Sequence, residues 1–350
     1  MSAMIRGGLP ALTRLRASRA ARVGLALVAL LVLFALLGPV LSSHDTTTSD
    51  FVRGATDTGP AEPGRLFWLG ADRLYRDQFT RLAHGGRISL FIGLTATAIA
   101  TVLGATAGIL SGYYEGTRGV RVPWLALVAL ALAFAHVVLG SGRVVVWLLG
   151  GHGLRALALI VALGLATRLG KLREGPRLTL DAALMRFVDV GLAFPFLLLV
   201  MALGTAFERT SATTILFTLG LTGWLGIARV VRAKTISVKN LDFVMAARAL
   251  GQSTPAILLR HVLPNVSGAI VVLATVSVAQ MIVAESVMSY LGVGLSPPTP
   301  TWGYMLFEGQ EVYVTAPWLL FAPAAAILVA VLGFNLLGEG LRDALDPRSD

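Results

Sequence analysis

The sequence predicts an all-α protein that crosses a membrane several times. Its 350 residues are 55% hydrophobic and only 14% charged, and its mean hydropathy is +0.76; a soluble domain needs more charge to cover its surface. Apolar runs long enough to span a hydrocarbon core of about 30 Å recur along the chain. Basic residues gather beside those runs, where they set orientation. The formal charge of +10 is therefore read as a topology signal, and no nucleic-acid partner is expected. There is no cysteine, which excludes disulfides, thiol catalysis and cysteine-ligated metals. The five histidines, His44, His84, His136, His152 and His261, show no metal-ligand spacing, so no metal, cofactor or catalytic site is expected in this chain.

Residues 1–22 carry five arginines and no acid, and residues 23–41 form the first span, with the N-terminus inside. Residues 42–86 are polar and are expected outside. Residues 88–110 form the second span, with Gly104, Gly108 and Gly112 at four-residue spacing; such ladders let helices approach closely. Residues 121–177 hold two further apolar stretches ended by Arg168, Lys171, Arg173 and Arg177, and are expected to form an inserted hairpin. Gly170-Lys171 lacks the spacing and the Ser/Thr of a phosphate loop.

Asp189 sits just inside the next apolar run, with Arg186 as the expected partner, and Pro195 is expected to kink that helix. Residues 213–230 form another span, with Gly220, Gly223 and Gly226 thinning one side. Residues 266–291 follow, with Glu285 inside them, and residues 317–337 form the last span. Pro297, Pro298 and Pro300 with Trp302 are expected to make a stiff outer loop at the membrane interface. Asp189 and Glu285 are candidate intramembrane residues, either functional or structural.

One polar island interrupts the spans after Arg229, Arg232, Lys234 and Lys239. Its periodicity predicts a short helix from Asp242, with Phe243, Ala246, Ala247 and Leu250 on one face. Gly251 permits a turn, Ser253 or Thr254 caps a second short helix with Pro255 at its first position, and Pro264 is expected to end it. The result is a knob on the inner side.

These residues also carry a family resemblance. Ala246-Ala247, Gly251 and Leu263-Pro264 resemble the loop of ABC importer permeases that docks into a groove of the ATPase subunit, with Met245 where that family usually has Glu and His261 where it usually has Ile. Trp68-Leu-Gly-Ala-Asp72, Gly86-Arg-Ile-Ser-Leu90, the stretch Ala284-Glu-Ser to Trp302-Gly-Tyr, and Asn335-Leu-Leu-Gly-Glu-Gly to Asp346-Pro-Arg348 are similar to the peptide-type subfamily (dipeptide, oligopeptide and nickel importers), in its second-permease branch; Tyr75 stands where that pattern has Gly.

The resemblance implies a type I importer transmembrane domain of about eight spans, six of the family plus the inserted hairpin. The expected organisation is an inner N-terminus and first span over 1–41, an extracytoplasmic loop over 42–86, and a permease domain over 87–350, with the hairpin at about 121–177 and the docking loop at about 232–265. It implies a bacterial or archaeal plasma membrane, both termini cytoplasmic, and a lipid bilayer around the chain. It also implies two ATPase subunits that bind ATP and Mg, a second related permease, and an external substrate-binding protein. The docking residues implied are Ala246, Ala247, Arg248, Gly251, His261, Leu263 and Pro264, and the chain itself does no bond chemistry. The alternative is an ion-coupled secondary transporter using Asp189 and Glu285; an intramembrane enzyme finds no nucleophile–base pair.

Overall fold

The computed structural model describes residues 13–42, 44–47, 49, 60–117, 120–121, 177–206, 211–295 and 297–345. The chain divides into two compact units, Met1–Ile109 with Val188–Asp350, and Leu110–Phe187. Helices α1 (Arg19–Leu41), α2 (Gln78–Tyr114), α3 (Leu180–Ala193), α4 (Phe196–Ala206), α5 (Ala212–Lys239), α6 (Asp242–Ala249), α7 (Thr254–Ile257), α8 (Leu263–Tyr290), α9 (Trp302–Gln310) and α10 (Trp318–Leu345) account for nearly all regular structure. Among the described residues five helices are long and apolar enough to cross a membrane, and six if the bent pair α3–α4 is one span. With the bent pair counted as one, this matches the six spans that the resemblance implies. The inserted hairpin lies outside the described residues, but strands β1 (Val120–Arg121) and β2 (Arg177–Leu178) pair antiparallel and bring the two ends of that segment together.

The larger unit is held by close approach. Lipid is as apolar as a leucine side chain, so little hydrophobic force drives helices together inside a bilayer, and packing and polar contacts must do so. The first and last spans meet at small residues: a Cβ on Gly24 would strike the Leu337 amide, and one on Gly340 would strike Ala21. The Gly104 and Gly108 ladder acts as expected, since a Cβ there would lie 2.7 Å from Ile227 Cβ and 2.6 Å from the Ala228 carbonyl of α5. Around these seams Leu31, Leu82, Ile282, Met305, Ala330 and Phe334 form a continuous buried core.

Several expectations are corrected. The second span starts ten residues early, at Gln78, inside the stretch expected to be loop. Trp302 is no interface anchor: it is wholly buried, and its indole Nε1 donates to the Leu82 carbonyl at 3.0 Å. Its partner lies 220 residues away, which local patterning does not reveal. Pro195 does break its helix, and α3 and α4 meet at 89°.

At one end of this unit the loop before α2 is fastened to α9 by a ring of four charges. Arg76 contacts Asp72 at 2.7 Å and Glu308 at 2.6 Å, while Arg81 contacts Asp72 at 2.8 Å and also Glu308. Every charge thus has two opposite neighbours. Burial works against the Arg76 charge, but Asp72 and Glu308 outweigh it and hold the guanidinium above its ordinary pKa. Tyr75, where the family pattern has Gly, keeps a left-handed φ of 53°, so the turn leading into the ring survives the replacement. Removing one member of a buried pair strands its partner, at a cost of about 3–5 kcal/mol. Arg81→Met should therefore lower the thermal midpoint of the purified chain in detergent by several degrees; an unchanged midpoint contradicts the fastening role.

Candidate functional site

The knob grows directly out of α5. Asn240 Nδ2 donates back to the Ile236 carbonyl at 3.1 Å, and Leu241 then turns extended to start α6. Asp242 in the first turn and Arg248 in the last both favour the helix dipole. The helix ends in a Schellman motif: Gln252 N–H reaches the Ala247 carbonyl at 3.2 Å, and Gly251 N–H reaches Arg248 at 3.0 Å. Gly251 has φ +74° with no atom within 4 Å of a would-be Cβ, so glycine is required there by the backbone alone. Ser253 occupies the cap position of α7 and Pro255 its first turn, but no side chain makes the cap bond.

Pro264 does not end this second helix. A π-helical turn over Leu258–Val262 intervenes, in which Leu263 N–H bonds to the Leu258 carbonyl, and Leu263 keeps φ −52°, ψ −45°. The wider turn accommodates the missing amide and the ring of Pro264 without a break. Asn265 Nδ2 satisfies the His261 carbonyl at 2.7 Å. The chain therefore runs as one span from Thr254 to Tyr290.

Val244, Ala247, Ile257 and Val262 are buried and form the floor of the knob. The expected common face is split: Ala247 points in, whereas Phe243, Ala246 and Leu250 point out. His261 ties the halves together, 3.0 Å from Gln252 Oε1, with its ring 6.3 Å from that of Phe243. Outward stand Met245 at 49%, Leu259 at 65% and Leu250 at 81% exposure. Arg248 and Arg260 are exposed among them. An apolar rim flanked by guanidinium groups is a surface suited to a protein groove.

Within the same unit, α4, α5, α8 and α10 enclose an open cavity of about 550 Å³. Its walls are apolar except for Thr222, Gln280 and Asn335, and no lining residue is ionisable. Neither carboxamide has a hydrogen-bond partner among the described residues. Gly226 opens onto the cavity, as a Cβ there would meet nothing within 4 Å. Gln280 and Asn335 were not singled out from sequence; the available signal was a carboxamide within an otherwise apolar helix.

The structure separates the two intramembrane carboxylates. Asp189 pairs with Arg229 at 2.6 Å and not with Arg186, since α3 meets α5 closely at Gly191 and Leu225. Glu285 is wholly buried and accepts bonds from Ser89 at 2.9 Å and Ser289 at 2.8 Å. It joins α2 to α8 and does not line the cavity. Among the described residues no group of His, Asp and Glu is placed to hold a metal.

Residues 158–350 match the family described as binding-protein-dependent transport system inner membrane component, and residues 10–57 match the N-terminal transmembrane domain of oligopeptide transport permease C. The chain is 34% identical over 333 residues to the oligopeptide transport system permease protein OppC of Escherichia coli K12, covering 95% of this chain and 88% of that one. It is 31% identical over 336 residues to the dipeptide transport system permease protein DppC of Bacillus subtilis 168, covering 96% and 84%. It is 32% identical over 286 residues to the glutathione transport system permease protein GsiD of Pectobacterium atrosepticum, covering 82% and 74%. These likenesses give no support to the ion-coupled transporter alternative, and the buried carboxylate of Glu285 between Ser89 and Ser289 suits a packing role. Glu285→Gln should then leave transport intact, whereas Glu285→Leu strands two hydroxyls at about 1–3 kcal/mol each and lowers the thermal midpoint; loss of transport in Glu285→Gln with an unchanged midpoint contradicts this.

Proposed function

Since this chain belongs to the family of inner membrane components of binding-protein-dependent transport systems, we propose that it forms, with a second permease, the pathway by which peptides or similar small solutes enter the cell. It is a permease subunit of an ABC importer. ATP and Mg are bound by two separate ATPase subunits, and an external binding protein delivers the solute. The termini and the knob lie in the cytoplasm, consistent with the arginines before α1 and the basic run Arg229, Arg232, Lys234 and Lys239.

One observation carries the mechanism: the second half of the knob and the cavity wall are one continuous helical span, Thr254–Tyr290. The groove of the ATPase grips Ala246, Arg248, Gly251, His261, Leu263 and Pro264 and their exposed apolar neighbours, over a floor that includes the buried Ala247. Closure of the ATPase dimer on ATP displaces the knob. The displacement reaches Val276 to Ala284 of the cavity wall because the π turn at Leu258–Val262 absorbs Pro264 without a hinge. The cavity opening then switches sides, each state being favoured by different contacts. Gln280 and Asn335 offer both donors and acceptors, which match the amide groups of a peptide backbone whatever its side chains.

The experiment is ATP-driven uptake by the complex reconstituted with its partners. Leu250 touches little of its own chain, so Leu250→Asp should abolish uptake without lowering the amount of chain in the membrane, and Gly251→Pro should do the same by destroying the turn. Normal uptake in both variants overturns the docking role.

A further inference from the structure

The cavity and the Asp189–Arg229 pair adjoin along two helices, and nothing proposed so far uses the pair. Leu192 of α3 and Gly226 of α5 line the cavity. Asp189 and Arg229 lie three residues further along those same helices, about one turn, and along α5 that step leads toward the knob. Arg229 Nη2 donates to Asp189 Oδ1 at 2.6 Å, with side-chain exposures of 55% and 51%. At the same crossing Gly191 brings α3 against α5, since a Cβ there would lie 2.5 Å from Leu225. The pair thus bridges two helices at the knob-side end of the cavity.

We propose that Asp189 and Arg229 are the gate at the inner mouth of this cavity, paired in this structure and switched between paired and parted by movement of the knob. The proposal rests on the cavity being the solute pathway. An ionisable group at membrane depth is costly unless it is paired or wetted, and this pair is only half covered by its own chain. A single hydrogen bond joins them and, among the described residues, no further ring of charge fastens them, so this pair can part and re-form in each cycle. The four-charge ring at Asp72, Arg76, Arg81 and Glu308 is the contrasting case: it is largely buried and each charge there has two partners, as suits a static clamp. The levers are also in place. α5 runs from Arg229 to Lys239 and straight into the knob, a span of about three turns. On the other side the break at Pro195 frees α3 to swing without carrying α4 with it.

The absence of native cysteine in this chain makes the test direct. Asp189→Cys with Arg229→Cys is assembled with its partners in proteoliposomes and linked by a short bis-methanethiosulfonate. ATP-driven accumulation of a peptide digest is read by mass spectrometry of the vesicle contents. Accumulation should be lost on linking and return on reduction. Accumulation by the fully linked complex at the unlinked rate overturns the gate and leaves the importer reading standing. No accumulation even by the wild-type complex overturns the importer reading, and the gate with it. As a second measurement, Arg229→Glu should hold the mouth open by repulsion, so that ATP is hydrolysed without uptake, and Asp189→Arg with Arg229→Asp should restore uptake. A swapped pair that stays as defective as the single reversal contradicts the gate.

Discussion

The structure depends on one unbroken span. Thr254–Tyr290 is 37 residues long, roughly 55 Å at the helical rise, and therefore longer than a bilayer core. Its first turns belong to the knob, with Ile257 and Val262 buried in its floor. Its middle supplies Gln280 to the cavity. Its far end carries Glu285, pinned to α2 through Ser89, and leads on to the buried Trp302 of α9. A proline near the start of such a helix ordinarily breaks it. Here the π turn and the Asn265 side chain satisfy the affected groups, so push and pull at the knob act on the cavity wall through a stiff rod.

Polar groups on and around that rod divide by task. Where the fold must be rigid they are buried and multiply bonded: the ring at Asp72, Arg76, Arg81 and Glu308, and the carboxylate of Glu285 between two serines. Around the cavity they are neutral, and the carboxamides of Gln280 and Asn335 have no hydrogen-bond partner among the described residues. Where two helices are proposed to part, a single hydrogen-bonded ion pair is only half covered by the chain. Burial and the number of partners, more than the presence of charge, distinguish a clamp from a moving part.

Local features were legible from sequence. The Schellman turn at Gly251 and the Gly104–Gly108 seam each rest on a requirement that one residue type meets. The bend at Pro195 was equally plain. Long-range pairing was not. Arg186 is the partner that nearness in sequence suggests for Asp189, yet Arg229 of α5 takes that role. Trp302 and Glu308 find their partners more than 200 residues away, and no periodicity encodes that. Pro264 misled for a different reason: the rule that a proline stops a helix assumes an α-helical turn before it, and a π turn removes the conflict. The cavity was invisible because its polar residues are single carboxamides on separate helices.

Side-switching of the cavity with the nucleotide state of the complex is the central claim. The most direct measurement is labelling of Gln280→Cys, in the otherwise cysteine-free chain, by a membrane-impermeant thiol reagent applied to either face, with and without a non-hydrolysable ATP analogue. Alternating access predicts labelling from the knob side without the analogue and from the opposite side with it. Labelling from one and the same side in both states would contradict it.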